Sequence, residues 1–162
     1  MNDQSVTLAA IRRGTRVALP NDDGYLFRLG VALFGFASVN SFMVEVITHL
    51  DPSKNQTALL DLTSGQVLAA FRSAVNGWSG ADISSAAAQV IDEFARLNGE
   101  RTDFVHAYPI TNSSGEQILH RRKDDKSKYF EVTNAFLDDF ISRLTRVTDA
   151  LYGIRKIVRP VL

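Results

Sequence analysis

The stretch VIDEFARLNGERTDFVHAYP, Val90 to Pro109, decides how the chain is read. Val90, Phe94, Leu97, Arg101, Phe104 and Tyr108 follow in steps of four and three, the repeat of one α-helical face. A helix is expected from about Ala81 to Val105. Pro109, which lacks an N–H and has a fixed φ, bars its continuation. Arg101 stands where this period calls for an apolar side chain. An unpaired charge in a core costs several kcal/mol, so the arginine needs a partner, water or an opening. It can snorkel from the bundle's end, pair with a carboxylate such as Glu93 or Asp103, or fix helix register as a polar seam residue. Its row can also run out at a cleft or subunit seam.

The same period recurs on both sides. From about Tyr25 to Leu50 the row is Leu29, Leu33, Phe36, Asn40, Met43, Ile47 and Leu50, with Asn40 its polar exception, and Pro52 ends it. Thr63 and Gln66 have capping-box spacing ahead of Val67, Phe71, Ala74 and Trp78, and NGWSG closes that helix. A last helix is expected from near Val132, with Phe136, Phe140, Leu144, Val147, Leu151 and Ile154 on one face and Pro160 beyond it. Residues 109–130 are polar and turn-rich around NSSG. They are expected as a long loop or as a β-hairpin pairing Tyr108–Thr111 with Gln117–Arg121. The expectation is all-α: a four-helix up-and-down type bundle with an irregular or hairpin insertion between the third and fourth helices. Residues 1–23, which end in the turn signal LPNDDG, are expected as a flexible or extended N-terminal arm. Residues 24–155 form the helical domain and 156–162 a C-terminal tail.

The 162 residues suit one domain with a core of its own. Eighteen basic residues balance eighteen acidic ones, which argues against broad electrostatic binding to nucleic acid or anionic membrane while leaving room for a local basic patch. With no cysteine, disulfides and thiolate metal sites are impossible. The N-terminal MNDQSVTLAAIRRGTRVALP lacks the basic-then-apolar order of a signal peptide. The longest uncharged apolar run, Leu29 to Val44, falls short of the roughly 18 residues of a membrane span and holds Ser38, Asn40 and Ser41. A soluble, cytoplasmic protein without membrane contact is the expectation. No phosphate-binding glycine loop, dinucleotide fingerprint, HExxH or nucleophile elbow is present, so no cofactor or metal is expected. His49, four residues after Glu45, is expected as half of a helix-surface ion pair.

His106 lies five residues beyond Arg101, about 140° around a regular helix. The two converge only if the helix unwinds near Pro109 or if two protomers share a site. Asn98, Arg101 and Thr102 can cluster on the helix surface and offer hydrogen bonds to a phosphate. NGERTDFVHAY resembles the motif of HEPN domains, small helical bundles whose signature is an arginine, a polar residue and, after four to six intervening positions, a histidine. Asn98, Arg101 and His106 match the form Asn-x-x-Arg-polar-x-x-x-His; Thr102 replaces the frequent asparagine. The motif's place on the third of four helices agrees too.

The resemblance implies a metal-independent endoribonuclease of toxin–antitoxin, phage-defence or RNA-processing systems. It also implies a homodimer whose two chains bring arginine and histidine into one cleft. Arg101 would stabilise charge on the scissile phosphate with its fixed planar donors. His106 would be general acid or base, as imidazoles ordinarily titrate near neutral pH. Asn98 and Thr102 would position groups around the phosphate, and the RNA's own 2′-hydroxyl would attack. An antitoxin or other protein is a further expected partner. The rival reading is a non-catalytic helical dimer that binds a nucleotide or a protein. Elsewhere, LHRRKDDKSK (Leu119 to Lys128) is locally basic. Arg121, Arg122 and Lys123 are candidates for tracking an RNA backbone, and Tyr108 and Tyr129 for stacking on bases. The alternative is a solvated loop.

Overall fold

The computed structural model describes residues 3–122 and 129–159. In chain order the elements are α1 (Asp3–Gly14), α2 (Asp23–Leu50), α3 (Gln56–Leu60), α4 (Ser64–Gly77), α5 (Ser84–Val105), β1 (Tyr108–Thr111), β2 (Gln117–Arg122), β3 (Tyr129–Val132) and α6 (Asn134–Val158). Local chemistry sets the helix starts. Asp22 accepts the Tyr25 N–H (3.0 Å), Asn55 that of Ala58 (3.0 Å) and Thr133 that of Phe136 (3.1 Å). Thr63 and Gln66 form the expected capping box. Each cap satisfies donors that a first helical turn leaves without partners.

Four helices share the core. α2 and α5 each pack on α4 and α6, so α2 and α5 face each other across the diagonal. Phe36 of α2 stacks on Phe94 of α5 at 5.1 Å, and Phe104 meets Phe140 of α6 edge-on at 5.3 Å. Aromatic pairs in such geometries add to the burial of their area. At Gly35 a Cβ would come within 3.1 Å of Leu144 Cδ1, so α2 and α6 approach closely there.

The mostly helical architecture agrees with the sequence, but the up-and-down connectivity does not hold. Arg28 pairs with Asp138 (2.7 Å), Phe42 meets Tyr152 (4.7 Å), and Glu45 pairs with Arg155 (2.9 Å). Contacts that rise together along both helices make α2 and α6 parallel, whereas the first and last helices of an up-and-down bundle oppose each other. α5 runs against α6: Glu93 lies beside Arg146, and Phe104 beside Phe136. α4, joined to α5 by a short turn and meeting Asn98 at Gly65, runs against α5 and so with α2. Residues 51–63, which include α3, therefore cross back along the bundle instead of making a tight turn. Periodicity fixes which face is apolar and carries no information on direction.

Other boundaries also move. Residues 3–14 of the expected arm form α1, tied by Arg12 to Asp23 and to the Pro20 carbonyl (2.9 Å). α6 runs three residues into the expected tail, to Val158. Leu33, placed in the apolar row of α2, is 44% exposed; Ala32 and Val39 take the core face instead. Of the loop and hairpin alternatives the hairpin forms, from the expected segments, with Tyr108 opposite His120 and Thr111 opposite Gln117, around a turn in which Gly115 takes a φ of 80°. A third strand, β3, adds to β2 with His120 opposite Glu131. Tyr25 fastens the sheet to α2 by accepting the Leu119 N–H at 2.8 Å.

Candidate functional site: an inward-facing arginine on α5

α5 delivers Arg101 inward. Its guanidinium carbon lies 5.0 Å from the centre of the Phe36 ring, across the bundle diagonal. Phe94 sits two turns before Arg101, about 10.5 Å along the axis. Both are close to Phe36, so the ring is held between them. Cation–π contact stabilises the arginine there, yet its Nε is buried without a hydrogen-bond partner. Asn40, one turn beyond Phe36, likewise has a buried side-chain oxygen without a partner. The two residues that broke the apolar rows thus both leave buried polar atoms unsatisfied, on facing helices.

The carboxylates expected to neutralise Arg101 serve other arginines. Glu93 lies 3.6 Å from Arg143 Nε, Glu100 binds the Arg143 guanidinium, and Asp139 reaches it at 2.7 Å. Burial works against the Arg143 charge, but Glu100 and Asp139 outweigh it and hold its pKa above the usual arginine value. Asp103 pairs with Arg121 at 2.8 Å, and Arg121 also donates to the Thr102 carbonyl (3.3 Å). Among the described residues, no carboxylate is paired with Arg101.

His106 caps the C-terminus of α5, its backbone N–H donating to the Thr102 carbonyl at 3.2 Å. Its side chain is exposed, between the half-exposed Val105 and Tyr108. α5 remains regular through Val105, so one chain does not bring Arg101 and His106 together. Thr102 donates its hydroxyl to the Asn98 carbonyl (2.9 Å), and Asn98 faces the start of α4 at Gly65. Asn98 and Thr102 therefore meet through the helix backbone, while the Arg101 guanidinium points toward α2.

The basic stretch divides. Arg121 is committed to Asp103 and staples β2 to α5, so it is not a free contact for a backbone phosphate. Arg122 is exposed at the end of β2. Lys123, Lys126 and Lys128 lie outside the described residues, as does the side chain of Tyr129. His120 is buried in β2, with its ring 5.4 Å from that of Tyr108. Glu45 sits 3.7 Å from His49, at the expected spacing, and shares its carboxylate with Arg155.

Sequence reading passed over Arg143, the most deeply buried charged side chain among the described residues. The signal was present: Phe140, Arg143 and Val147 are spaced three and four apart, as Leu97, Arg101 and Phe104 are. No family model matches the chain, and no curated protein or solved structure matches it.

Proposed function

We propose that this protein is a metal-independent endoribonuclease of the HEPN kind, working as a dimer in the cytoplasm. In this reading Arg101 of one chain binds the scissile phosphate and His106 of the other transfers protons. The observation that carries it is the commitment of Glu93, Glu100 and Asp103 to other arginines, which leaves the planar donors of Arg101 for an anion brought from outside. A phosphodiester fits that chemistry: it needs charge stabilisation beside a proton-transfer group and no metal. The exposed His106, flanked by Val105 and Tyr108, suits a place where a second chain seats. Asn98 and Thr102 stay in supporting roles through the backbone of α5. Toxin or phage-defence use, with an antitoxin as partner, extends the same reading.

The rival is a non-catalytic helical dimer that binds a nucleotide or a protein. The stacking of Arg101 on Phe36, away from His106, favours it. Incubation of purified protein with mixed RNA in EDTA separates the two. The ribonuclease reading expects cleavage by the wild type and none by folded His106→Ala or Arg101→Met. Intact RNA with all three proteins, together with retained nucleotide binding, supports the rival.

A further inference from the structure

The outer face of α2 is unlike the outside of an ordinary bundle. Phe27 is 73% exposed and Phe34 79%, one heptad apart on the same face. Between them Gly30 occupies the interior of a 28-residue helix, where glycine costs about 1 kcal/mol relative to alanine. No described neighbour requires it: a Cβ at Gly30 would meet no atom within 4 Å. Set between two protruding aromatic rings, such a glycine leaves room for close approach of another backbone. The groove beside it holds about 550 Å³ and is lined by Leu8 of α1 with Leu26, Phe27, Gly30, Val31 and Phe34, and Asp23 edges it.

We propose that this face is the seat of a second copy of the same chain, with α2 packed against α2 about a two-fold axis near Gly30. The surface is self-complementary, as a two-fold contact demands. Phe27 and Phe34 are equidistant from the Gly30–Val31 midpoint, so in an antiparallel pair the Phe34 of each copy lies beside the Phe27 of the other, over the shared glycine groove. From Leu29 to Val44 the helix carries no charge, and the Asp23 carboxylate at the edge of the groove is paired with Arg12. A buried phenylalanine contributes roughly 150–250 Å². At these exposures the two rings of each chain cover about half of the lower limit for a stable interface, roughly 1,200 Å² in total. Leu8, Gly30, Ala37 and Ser38 supply area beside them.

A lipid surface is the competing occupant. Among the described residues α2 is the one helix long and apolar enough to cross a membrane. The fold argues against that: Phe36, Met43 and Ile47 of α2 are core residues, and Arg28 and Glu45 tie it to α6. The pairing is also separate from the proposed Arg101/His106 cleft. Phe34 lies two residues, about 200°, from the inward Phe36. With bundle interaxial distances of 8–10 Å, this contact leaves the two α5 helices on the order of 30 Å apart.

The chain has no cysteine, so single cysteines report the contact cleanly. Wild type, Phe34→Glu, Gly30→Cys and the α4 control Arg72→Cys would be examined by analytical ultracentrifugation and non-reducing gels, and the wild type also by flotation with phosphatidylcholine–phosphatidylglycerol vesicles. The proposal expects assemblies near twice 17.9 kDa, or near four times where the Arg101/His106 dimer forms as well, that fall to half that mass in Phe34→Glu. It also expects a dissociation constant at least about 30-fold weaker in Phe34→Glu, and rapid disulfide linkage at position 30 but not at 72. A wild-type monomer throughout the micromolar range overturns it. So does a dimer indifferent to Phe34→Glu and unlinked at position 30, or a monomer that floats with vesicles. RNA cleavage by a folded, monomeric Phe34→Glu leaves the α2 contact standing and removes the need for a dimer in catalysis; loss of the α2 contact says nothing against cleavage.

Discussion

Replacing Arg101 by methionine separates an arginine kept for a ligand from one kept for the fold. Methionine has nearly the helix propensity of arginine, fills the same place over Phe36 and brings no donor. In the wild type the Arg101 Nε is buried without a partner, and such a group costs about 1–3 kcal/mol. The cation–π contact with Phe36 returns about 1 kcal/mol. No ion pair with a described residue is lost. Arg101→Met is therefore expected to be neutral or stabilising by about 1 kcal/mol, an upward Tm shift of roughly 2–4 °C for a domain of this size. Thermal and urea unfolding followed by circular dichroism would measure it. A loss of about 2 kcal/mol or more, the size of a broken buried hydrogen-bonded charge, would show Arg101 to be structural and refute the reasoning.

The opposite result is expected at Arg143. Arg143→Ala leaves Glu100 without its cation and Glu93 with Arg146 at 3.9 Å, and should cost about 3 kcal/mol, seen as a lower urea midpoint at constant m. Tyr25→Phe removes the acceptor of the Leu119 N–H and should cost about 1–2 kcal/mol, with faster hydrogen exchange in β2 than in α5. Burial raises the Tyr25 pKa above 10.0, against the Leu119 hydrogen bond. Its contribution is present below pH 10.0 and lost as pH rises through the higher folded value, so Tyr25→Phe should flatten the alkaline limb of stability against pH. Asp22 has its pKa lowered below 3.8 by the Asn134 side chain and then by the Tyr25 N–H. Its contribution is present above pH 3.8 and lost as pH falls through the lower folded value; Asp22→Asn, which keeps a capping side chain, should flatten the acid limb.

Helix positions were legible because each has its own period and cap. Thr63 and Gln66 announced α4, and Phe136, Phe140 and Leu144 announced the buried face of α6. Helix direction was not legible, since parallel α2 and α6 rest on pairs such as Arg28–Asp138 that lie far apart in sequence. α1 was missed because it buries little: Leu8 and Ile11 are half-exposed or more. Leu33 was misplaced for a related reason, because it satisfies the helical period of its row without facing the core. At the site, the pattern marked Arg101 and Asn40, both of which have unsatisfied buried atoms. Which arginine would take Glu93, Glu100 and Asp103 depended on α6 and β2, whose placement beside α5 no local pattern encodes.

The most direct test of a site shared between two chains is complementation. Arg101→Met and His106→Ala proteins, each inactive alone, would be mixed, unfolded and refolded together, and assayed on RNA in EDTA. Random pairing makes half of the dimers mixed, and each mixed dimer carries one intact Arg101/His106 pair, so about a quarter of wild-type cleavage should return. No recovery from a mixture that demonstrably forms mixed dimers would contradict a cleft built from two chains.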